Sequence, residues 1–356
     1  MKKMERSKIL TIQNKKRNGE IELLRFIFAV IVFSYHFEYA GFIFKSGYLA
    51  VDFFFMLSGY FMMRHIESDS EHNYSMRSLF IYIRSRFVRL FFTYFFVCFF
   101  SYFIRCFVLK EISIRTLFDK GIWEFLMLQS FGFSFTTTVL WYVSALLVSS
   151  FIIYFLYICQ NKKFLPIVFF LALCLLAFLY QKNQRLSSLD NHLIVSDGLL
   201  RGFAEMSLGC ILYKITQCIT VKSRSIFIIL SITKYALLVA FLFLMTREPG
   251  IKDYSCIVLI FGYLLLLFIC QSTTSNVFNN KFFYFLGSIS YDFYLNQVLI
   301  IYLARLLPEN LMRENPIITF LIFVIIDIVL SVITNYFSKL FSKRINSFLA
   351  TRCNES

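Results

Sequence analysis

The sequence predicts an all-α polytopic membrane protein, with about ten transmembrane helices packed in one bundle. Three observations predict this class. Of the 356 residues, 58% are hydrophobic and 20% are aromatic, a composition that soluble domains do not have. Apolar runs of roughly 17–25 residues recur along the whole chain, and each can cross a hydrocarbon core about 30 Å thick. Apolar and polar residues do not alternate with a period of two, which disfavours a membrane β-barrel.

The predicted spans follow one another along the chain with short connections. They cover, approximately, residues 21–44, 47–63, 87–109, 139–158, 164–180, 193–213, 225–245, 254–270, 281–304 and 316–338. The stretch 121–134 is apolar but short, which predicts an interfacial or re-entrant piece. We therefore expect one ten-span membrane domain over 21–341, between a basic tail at 1–20 and a second tail at 342–356.

The distribution of charge predicts the orientation. If the N-terminus is cytoplasmic, the loops and tails on that side carry about twice as many lysines and arginines as the loops on the other side. This bias accounts for the net charge of +15, so nucleic acid is not an expected partner. We expect an uncleaved first span, both termini in the cytoplasm, and the lipid bilayer of a bacterial inner membrane as the environment.

Cysteines and histidines indicate no metal centre. The nine cysteines are scattered without a C-x-x-C pair, and the four histidines do not cluster at the spacing of metal ligands. We expect neither a disulfide framework nor a bound metal or cofactor.

The first span carries three ionisable residues in the sequence "IELLRFIFAVIVFSYHF". Arg25 and His36 are eleven residues apart, which is three helical turns plus about 20°, so their side chains lie on one face. Glu22 lies one turn before Arg25. A polar stripe on an apolar helix is expected to face the protein interior, and histidine suits proton transfer near neutral pH. Arg25 as a positive-inside anchor, and His36 as a hydrogen-bond partner of a neighbouring helix, remain alternatives.

The next two spans add further candidates. "GYLAVDFFFMLSGYFMM" places Asp52 in an apolar run and follows it with Ser58, which either donates a hydrogen bond to substrate or permits close helix packing. In "YIRSRFVRLFFTYF", Arg86 and Arg89 share a helix face at the cytoplasmic end of the third span. Such a pair suits a phosphorylated cytoplasmic ligand, whereas on spacing alone positive-inside anchoring is the simpler interpretation.

Other buried charges are expected to pair with each other. Arg201 and Glu205 are four residues apart in the sixth span and can form an ion pair, or line a substrate cavity. Asp52, Asp292 and Asp327 are expected to pair with arginines of other helices, because an unpaired carboxylate within a membrane is costly.

Three motifs and two weaker segments together resemble the acyltransferase-3 family of membrane acyltransferases. "ELLRFIFAVIVFSYH" is similar to its arginine–histidine motif, "GYLAVDFFFMLSG" to its Gly-Val-Asp segment and "RSRFVRLFF" to its Arg-x-x-Arg motif. "LWYVSALL" and "SISYDFYLNQ" resemble later, weaker segments. The likeness covers nearly the whole chain. The chain departs from the family pattern at Phe92, where a proline is common, and at Gln297, where a histidine is usual.

The resemblance implies a function. It implies transfer of an acyl group, most often acetyl, from cytoplasmic acyl-CoA to a hydroxyl of an extracytoplasmic glycan or lipid-linked glycan. In that reaction His36 is the general base or an acyl relay, Arg25 orients the donor or the base, and Glu22 holds Arg25. Arg86 and Arg89 bind the phosphates of CoA.

A proton-coupled transporter of a small molecule or glycan precursor is the alternative, because such carriers also bury Arg, His, Asp and Glu. The absence of internal repeats and of mid-span prolines in the sequence disfavours the carrier.

Overall fold

The apolar runs form ten long helices, which we label α1 to α10. The computed structural model describes residues 17–37, 43–68, 75–133, 135–186, 191–192, 195–221, 223–270 and 278–354. The helices are α1 (Gly19–His36), α2 (Ala50–Ser68), α3 (Met76–Phe103), α4 (Trp141–Cys159), α5 (Phe164–Asn183), α6 (Asp197–Cys218), α7 (Arg224–Met245), α8 (Lys252–Ile269), α9 (Lys281–Ala304) and α10 (Pro316–Asn354).

The remaining elements are short. One turn of π-helix continues α3 over Ile104–Val108, and single helical turns occupy the connection to α4. Those turns are Ile114–Thr116, Leu117–Gly121, Ile122–Phe125 and Gln129–Phe131; others are Gly47–Leu49, Asn161–Lys163 and Glu309–Glu314. Two-residue strands, β1 (Asn191–His192) and β2 (Val195–Ser196), pair antiparallel before α6. The all-helical fold is as the sequence predicts.

Six of the described helices are long and apolar enough to cross a membrane. They are Met76–Val108, Trp141–Cys159, Asn161–Asn183, Arg224–Met245, Lys252–Ile269 and Pro316–Phe348. The other four, α1, α2, α6 and α9, carry charged and polar side chains along their length. The count of about ten crossings therefore stays a prediction, although a long helix lies at each of the ten predicted positions.

The four polar helices form the interior of the bundle. α2 packs along α6 and α1 along α9, while α7 exposes most of its surface. Glycines allow the α2–α6 contact: a Cβ at Gly59 would lie 2.0 Å from the Met206 carbonyl oxygen, and one at Gly209 would lie 2.1 Å from that of Met56. Small residues let helix backbones approach closely in membranes, so this contact depends on both glycines.

A buried ion pair fixes the start of α1. The Lys234 ammonium, fully buried within α7, lies 2.9 Å from the Glu20 carboxylate, and the Tyr263 hydroxyl of α8 donates to the same carboxylate at 3.0 Å. Asn18 caps α1 by accepting from the amides of Glu20 and Ile21. The first turn of α1 is thus held between α7 and α8.

Three helix boundaries differ most from the predicted spans. α1 ends at His36 rather than near residue 44, and 38–42 lie outside the described residues. α3 begins at Met76, eleven residues before the predicted span, because Ser75 and Ser78 form a capping box there. α10 continues to residue 354, beyond the predicted end at 338. A helix can continue past the apolar run that predicts the span, since hydrophobicity does not mark where hydrogen bonding stops.

Candidate active site

Three arginines of two helices converge on one cavity. Arg25 of α1 and Arg86 and Arg89 of α3 line it together with Ser58 of α2 and Tyr142 of α4. The cavity has two lobes that share these five residues, one of about 460 Å³ and the other of about 530 Å³. The structure therefore brings the arginine of the first motif together with the Arg-x-x-Arg pair. We call this space the arginine cavity.

The smaller lobe carries the larger number of charged and hydrogen-bonding side chains, and we call it the polar lobe. Besides the shared residues, its charged and hydrogen-bonding wall comes from the start of α1, from α9 and from α10, namely Arg17, Ser288, Tyr291, Asp292, Asn335, Ser338, Lys339 and Ser342. Five cationic side chains, those of Arg17, Arg25, Arg86, Arg89 and Lys339, thus border one lobe. Positive charges gathered in a concave, partly desolvated site attract an anionic ligand strongly.

The larger lobe has an aromatic lining, and we call it the aromatic lobe. One face of α2 lines it with Phe54, Ser58, Phe61 and His65, at helical spacings of four, three and four residues. Phe54 and His65 are eleven residues apart, so this wall is about 16 Å long. Tyr82 and Ser85 of α3 complete the side facing His65, and the Tyr82 and His65 rings stack with centroids 5.1 Å apart. The aromatic lobe is an elongated slot.

Arg86 and Arg89 have no carboxylate to neutralise them among the described residues. The buried Arg86 guanidinium donates to the Tyr82 hydroxyl at 2.7 Å, and its Nε has no described partner. Desolvating a guanidinium without a counter-ion is costly. An anion in the cavity would remove that cost, and guanidinium groups bind phosphate by paired, charge-assisted hydrogen bonds.

Glu22 holds the other two arginines of the cavity. Its carboxylate accepts from Arg17 Nε at 2.9 Å and from Arg25 at 3.5 Å, and it lies against Gly287 of α9. A Cβ at Gly287 would lie 1.9 Å from a Glu22 carboxylate oxygen, so α9 leaves room for this side chain. The predicted contact between Glu22 and Arg25 is present.

His36 lies away from the arginines. It is the last residue of α1, its ring is 5.0 Å from that of Tyr35, and it lines neither lobe of the arginine cavity. It is half-buried. The eleven residues between Arg25 and His36 correspond to about 16 Å along the helix. Arg25 and His36 therefore lie at different ends of α1. Although the two side chains were predicted to share one helix face, they do not share one pocket.

A second arginine centre lies within the α2–α6 interface. The buried Arg201 guanidinium contacts the Asp52 carboxylate and donates from Nε to Glu205 at 3.0 Å. Its other nitrogens donate to the carbonyl oxygens of Leu186 at 3.1 Å and Tyr48 at 3.3 Å. Both predicted pairings of Arg201 are present. Asp52, Arg201 and Glu205 line neither lobe of the arginine cavity, so Ser58 is the one member of the predicted substrate-cavity set that does.

The expected arginine partners of Asp292 and Asp327 are not present among the described residues. Asp292 accepts from Thr93 at 2.6 Å and from Asn335 at 2.7 Å, and Asp327 accepts from Ser331 at 3.1 Å. Neutral donors take the place of the predicted cations: Thr93 of α3 and Asn335 of α10 donate to Asp292, and Ser331 of the same helix α10 donates to Asp327. Asp292 also borders the polar lobe, a position that sequence reasoning missed.

Sequence reasoning also missed Tyr82, Tyr142 and Lys339. Tyr82 lies one turn before Arg86, so the shared helix face was a usable signal. Tyr142 and Lys339 reach the cavity only through the packing of α4 and α10 around α3. Within the described ranges, no three His, Cys, Asp or Glu side chains converge as metal ligands would.

Fold and site together define a class: a helical membrane protein with a cationic cavity between its helices. Residues 18–336 match the family described as the acyltransferase domain, Acyl_transf_3, so the chain belongs to that family and is a membrane acyltransferase. Comparison with curated proteins and with solved structures gave no significant match. The family favours the enzyme over the transporter.

Proposed function

We propose that the protein transfers an acyl group, with acetyl as the first candidate, from acyl-CoA to a hydroxyl of a glycan or lipid-linked glycan. The observation that carries the proposal is the arginine cavity, in which Arg86 and Arg89 lack described counter-ions. The donor occupies this cavity from the cytoplasm. The acceptor lies on the other side of a bacterial inner membrane, and both termini are cytoplasmic.

The two lobes fit the two chemical parts of acyl-CoA. The polar lobe, with five cationic side chains, suits the phosphates. The aromatic lobe, an elongated slot lined by Phe54 and Phe61, suits the uncharged pantetheine arm. An extended pantetheine arm is comparable in length to the separation of about 16 Å between Arg25 and His36 along α1. Phosphates held at the arginines therefore leave the thioester within reach of the His36 end.

His36 acts as general base in the proposed reaction. It accepts the proton of the acceptor hydroxyl while that oxygen attacks the thioester carbonyl carbon. The C–S bond then breaks, and the CoA thiolate leaves and takes up the proton as free thiol. In the relay variant, the imidazole attacks the carbonyl carbon first and expels the CoA thiolate. The acceptor oxygen then attacks the same carbon and displaces the imidazole, and its hydroxyl proton goes to the thiolate. Arg25 and Glu22 position the donor. Ser58 lies in the cavity wall, where its hydroxyl can donate a hydrogen bond to the thioester carbonyl.

The proposal is tested by the ester content of the cell-surface polysaccharide. Cells carrying the wild-type protein, a deletion, His36→Ala, Arg86→Ala or Arg84→Ala are compared at matched membrane levels. Arg84 is the matched control, because it lies on α3 two residues from Arg86, is exposed and lines neither lobe. We expect ester to be lost in the deletion, His36→Ala and Arg86→Ala and kept in Arg84→Ala. An unchanged ester content in the deletion would contradict the surface polysaccharide as acceptor. Ester kept in His36→Ala would contradict His36 as the general base.

A further inference from the structure

Three aromatic rings meet at the Phe54 end of the aromatic lobe. They belong to Phe54 of α2, Tyr142 of α4 and Tyr294 of α9, and every pair is in edge contact. The ring centroids are 6.3 Å apart for Phe54 and Tyr142, 6.1 Å for Phe54 and Tyr294, and 5.3 Å for Tyr142 and Tyr294. Phe54 and Tyr142 also line the lobe itself. We call these three residues the ring triad.

Measured along α1, the ring triad lies at a level between Arg25 and His36. Phe53, beside Phe54 in α2, packs against Phe28 of α1 with centroids 4.7 Å apart. Phe293, beside Tyr294 in α9, packs against both Phe26 and Phe33 of α1, at 5.2 Å and 5.9 Å. The triad therefore lies beside the turns of α1 that follow Arg25 and precede His36.

The triad end of the lobe is more buried than the Phe61 end. Tyr142 and Tyr294 are buried, and Phe54 is half-buried with one side on the cavity. Phe61, two turns further along the same face of α2, is 40% exposed and borders the open part of the lobe. Close-packed side chains resist added volume, so of the two ends the triad end is the better placed to discriminate by size.

From this arrangement we infer that the ring triad is a size sieve that sets which acyl groups the enzyme transfers. This inference rests on the proposed function. The pantetheine arm lies in the aromatic lobe with its thioester towards Phe54, and the acyl carbons extend into the triad. An acetyl group fits in the space beside the rings, whereas a longer acyl chain collides with Phe54. The chemical steps are those already given for the transfer. The triad determines only which acyl-CoA binds in a position to react.

The test measures acyl preference in membrane vesicles from cells that make the full-length protein and its native acceptor. Radiolabelled acetyl-CoA and butyryl-CoA are supplied to the cytoplasmic face, and alkali-labile label in the acceptor fraction is counted. The variants are Phe54→Leu, which shortens the sieve, Phe54→Trp, which enlarges it, and Phe61→Leu. Phe61→Leu makes the same change on the same face of the same helix, away from the triad. The readout is the butyryl-to-acetyl ratio, which does not depend on how much folded protein is present.

We expect wild-type protein to prefer acetyl, and Phe54→Leu to raise the ratio by about tenfold, since each methylene in an apolar pocket changes discrimination by roughly 10–200-fold. Phe54→Trp lowers it, and Phe61→Leu leaves it unchanged. Equal shifts in Phe54→Leu and Phe61→Leu, no shift in either Phe54 variant, or a wild-type protein indifferent to chain length would overturn the sieve. Label from neither donor in wild-type vesicles would instead overturn the proposed function itself.

Discussion

The two arginine centres of this protein use the same side chain in opposite surroundings. Arg201 is buried in the α2–α6 interface, where two carboxylates and two carbonyl oxygens accept its hydrogen bonds. Arg86 borders an open cavity, donates to one tyrosine hydroxyl and has no described carboxylate partner. A satisfied guanidinium holds helices together, and an unsatisfied one is available to a ligand. The number of acceptors around an arginine thus separates the structural centre from the candidate binding centre.

The largest expected effect is on stability, at the Arg201 centre. Arg201→Ala leaves the Asp52 and Glu205 carboxylates buried without a cation, which we expect to cost about 3–5 kcal/mol. The midpoint of thermal unfolding in detergent should fall accordingly. Neutralising both acids in the same protein, by Asp52→Asn with Glu205→Gln, should recover part of the loss. A midpoint that does not change in Arg201→Ala would break the comparison, because Arg201 would then have no structural role.

The next effect is on donor use, at the arginine cavity. Arg86→Ala removes one or two charge-assisted hydrogen bonds to phosphate, so the KM for acyl-CoA should rise about ten- to hundredfold. The unfolding midpoint should stay close to that of the wild type, since no ion pair is lost among the described residues. An unfolding midpoint as low as that of Arg201→Ala would place Arg86 with the structural arginines.

A smaller effect on donor use is expected at Glu22, whose carboxylate contacts two arginines that line the cavity. Glu22→Gln keeps the shape and loses the charge that holds Arg17 and Arg25. Both arginine side chains are at least one-third exposed, so solvent screens these pairs and we expect the KM for acyl-CoA to change only about threefold. An effect larger than that of Arg86→Ala would show that Glu22 acts on the reaction directly.

The smallest effect is expected at an ion pair outside both centres. Lys45 and Glu248 are 2.5 Å apart with side chains 44% and 73% exposed. Exposed pairs of this kind are worth about 0.2–1 kcal/mol. Lys45→Ala should therefore leave unfolding and donor KM within error of the wild type. A clearly lower unfolding midpoint or a clearly higher KM would mean that the size of these effects depends on the proximity of opposite charges rather than on their burial.

The sequence was informative where a feature depends on one helix. The apolar runs predicted the all-helical membrane fold, and the motifs of the first three spans predicted the family, both of which are confirmed. The face shared by Arg86 and Arg89 follows from helical geometry alone, and so does the i,i+4 pair of Arg201 and Glu205.

Features that depend on several helices were not predictable. His36 and Arg25 share a face of α1, yet His36 ends that helix and lines neither lobe of the arginine cavity. The hydrogen bonds of Asp292 to Thr93 and Asn335 join three helices, which no spacing within one helix reveals. Ring contacts between Phe54, Tyr142 and Tyr294 have the same origin.

The central claim is that the arginine cavity binds the phosphates of the donor, and calorimetry tests it most directly. The full-length protein in lipid nanodiscs is titrated with CoA, and with pantetheine as a probe that lacks the nucleotide and its phosphates. We predict saturable CoA binding that is weakened about ten- to hundredfold by Arg86→Ala, unchanged by Arg84→Ala, and far weaker for pantetheine. Equal CoA affinity in wild-type protein and Arg86→Ala, or equal affinity for CoA and pantetheine, would contradict the account.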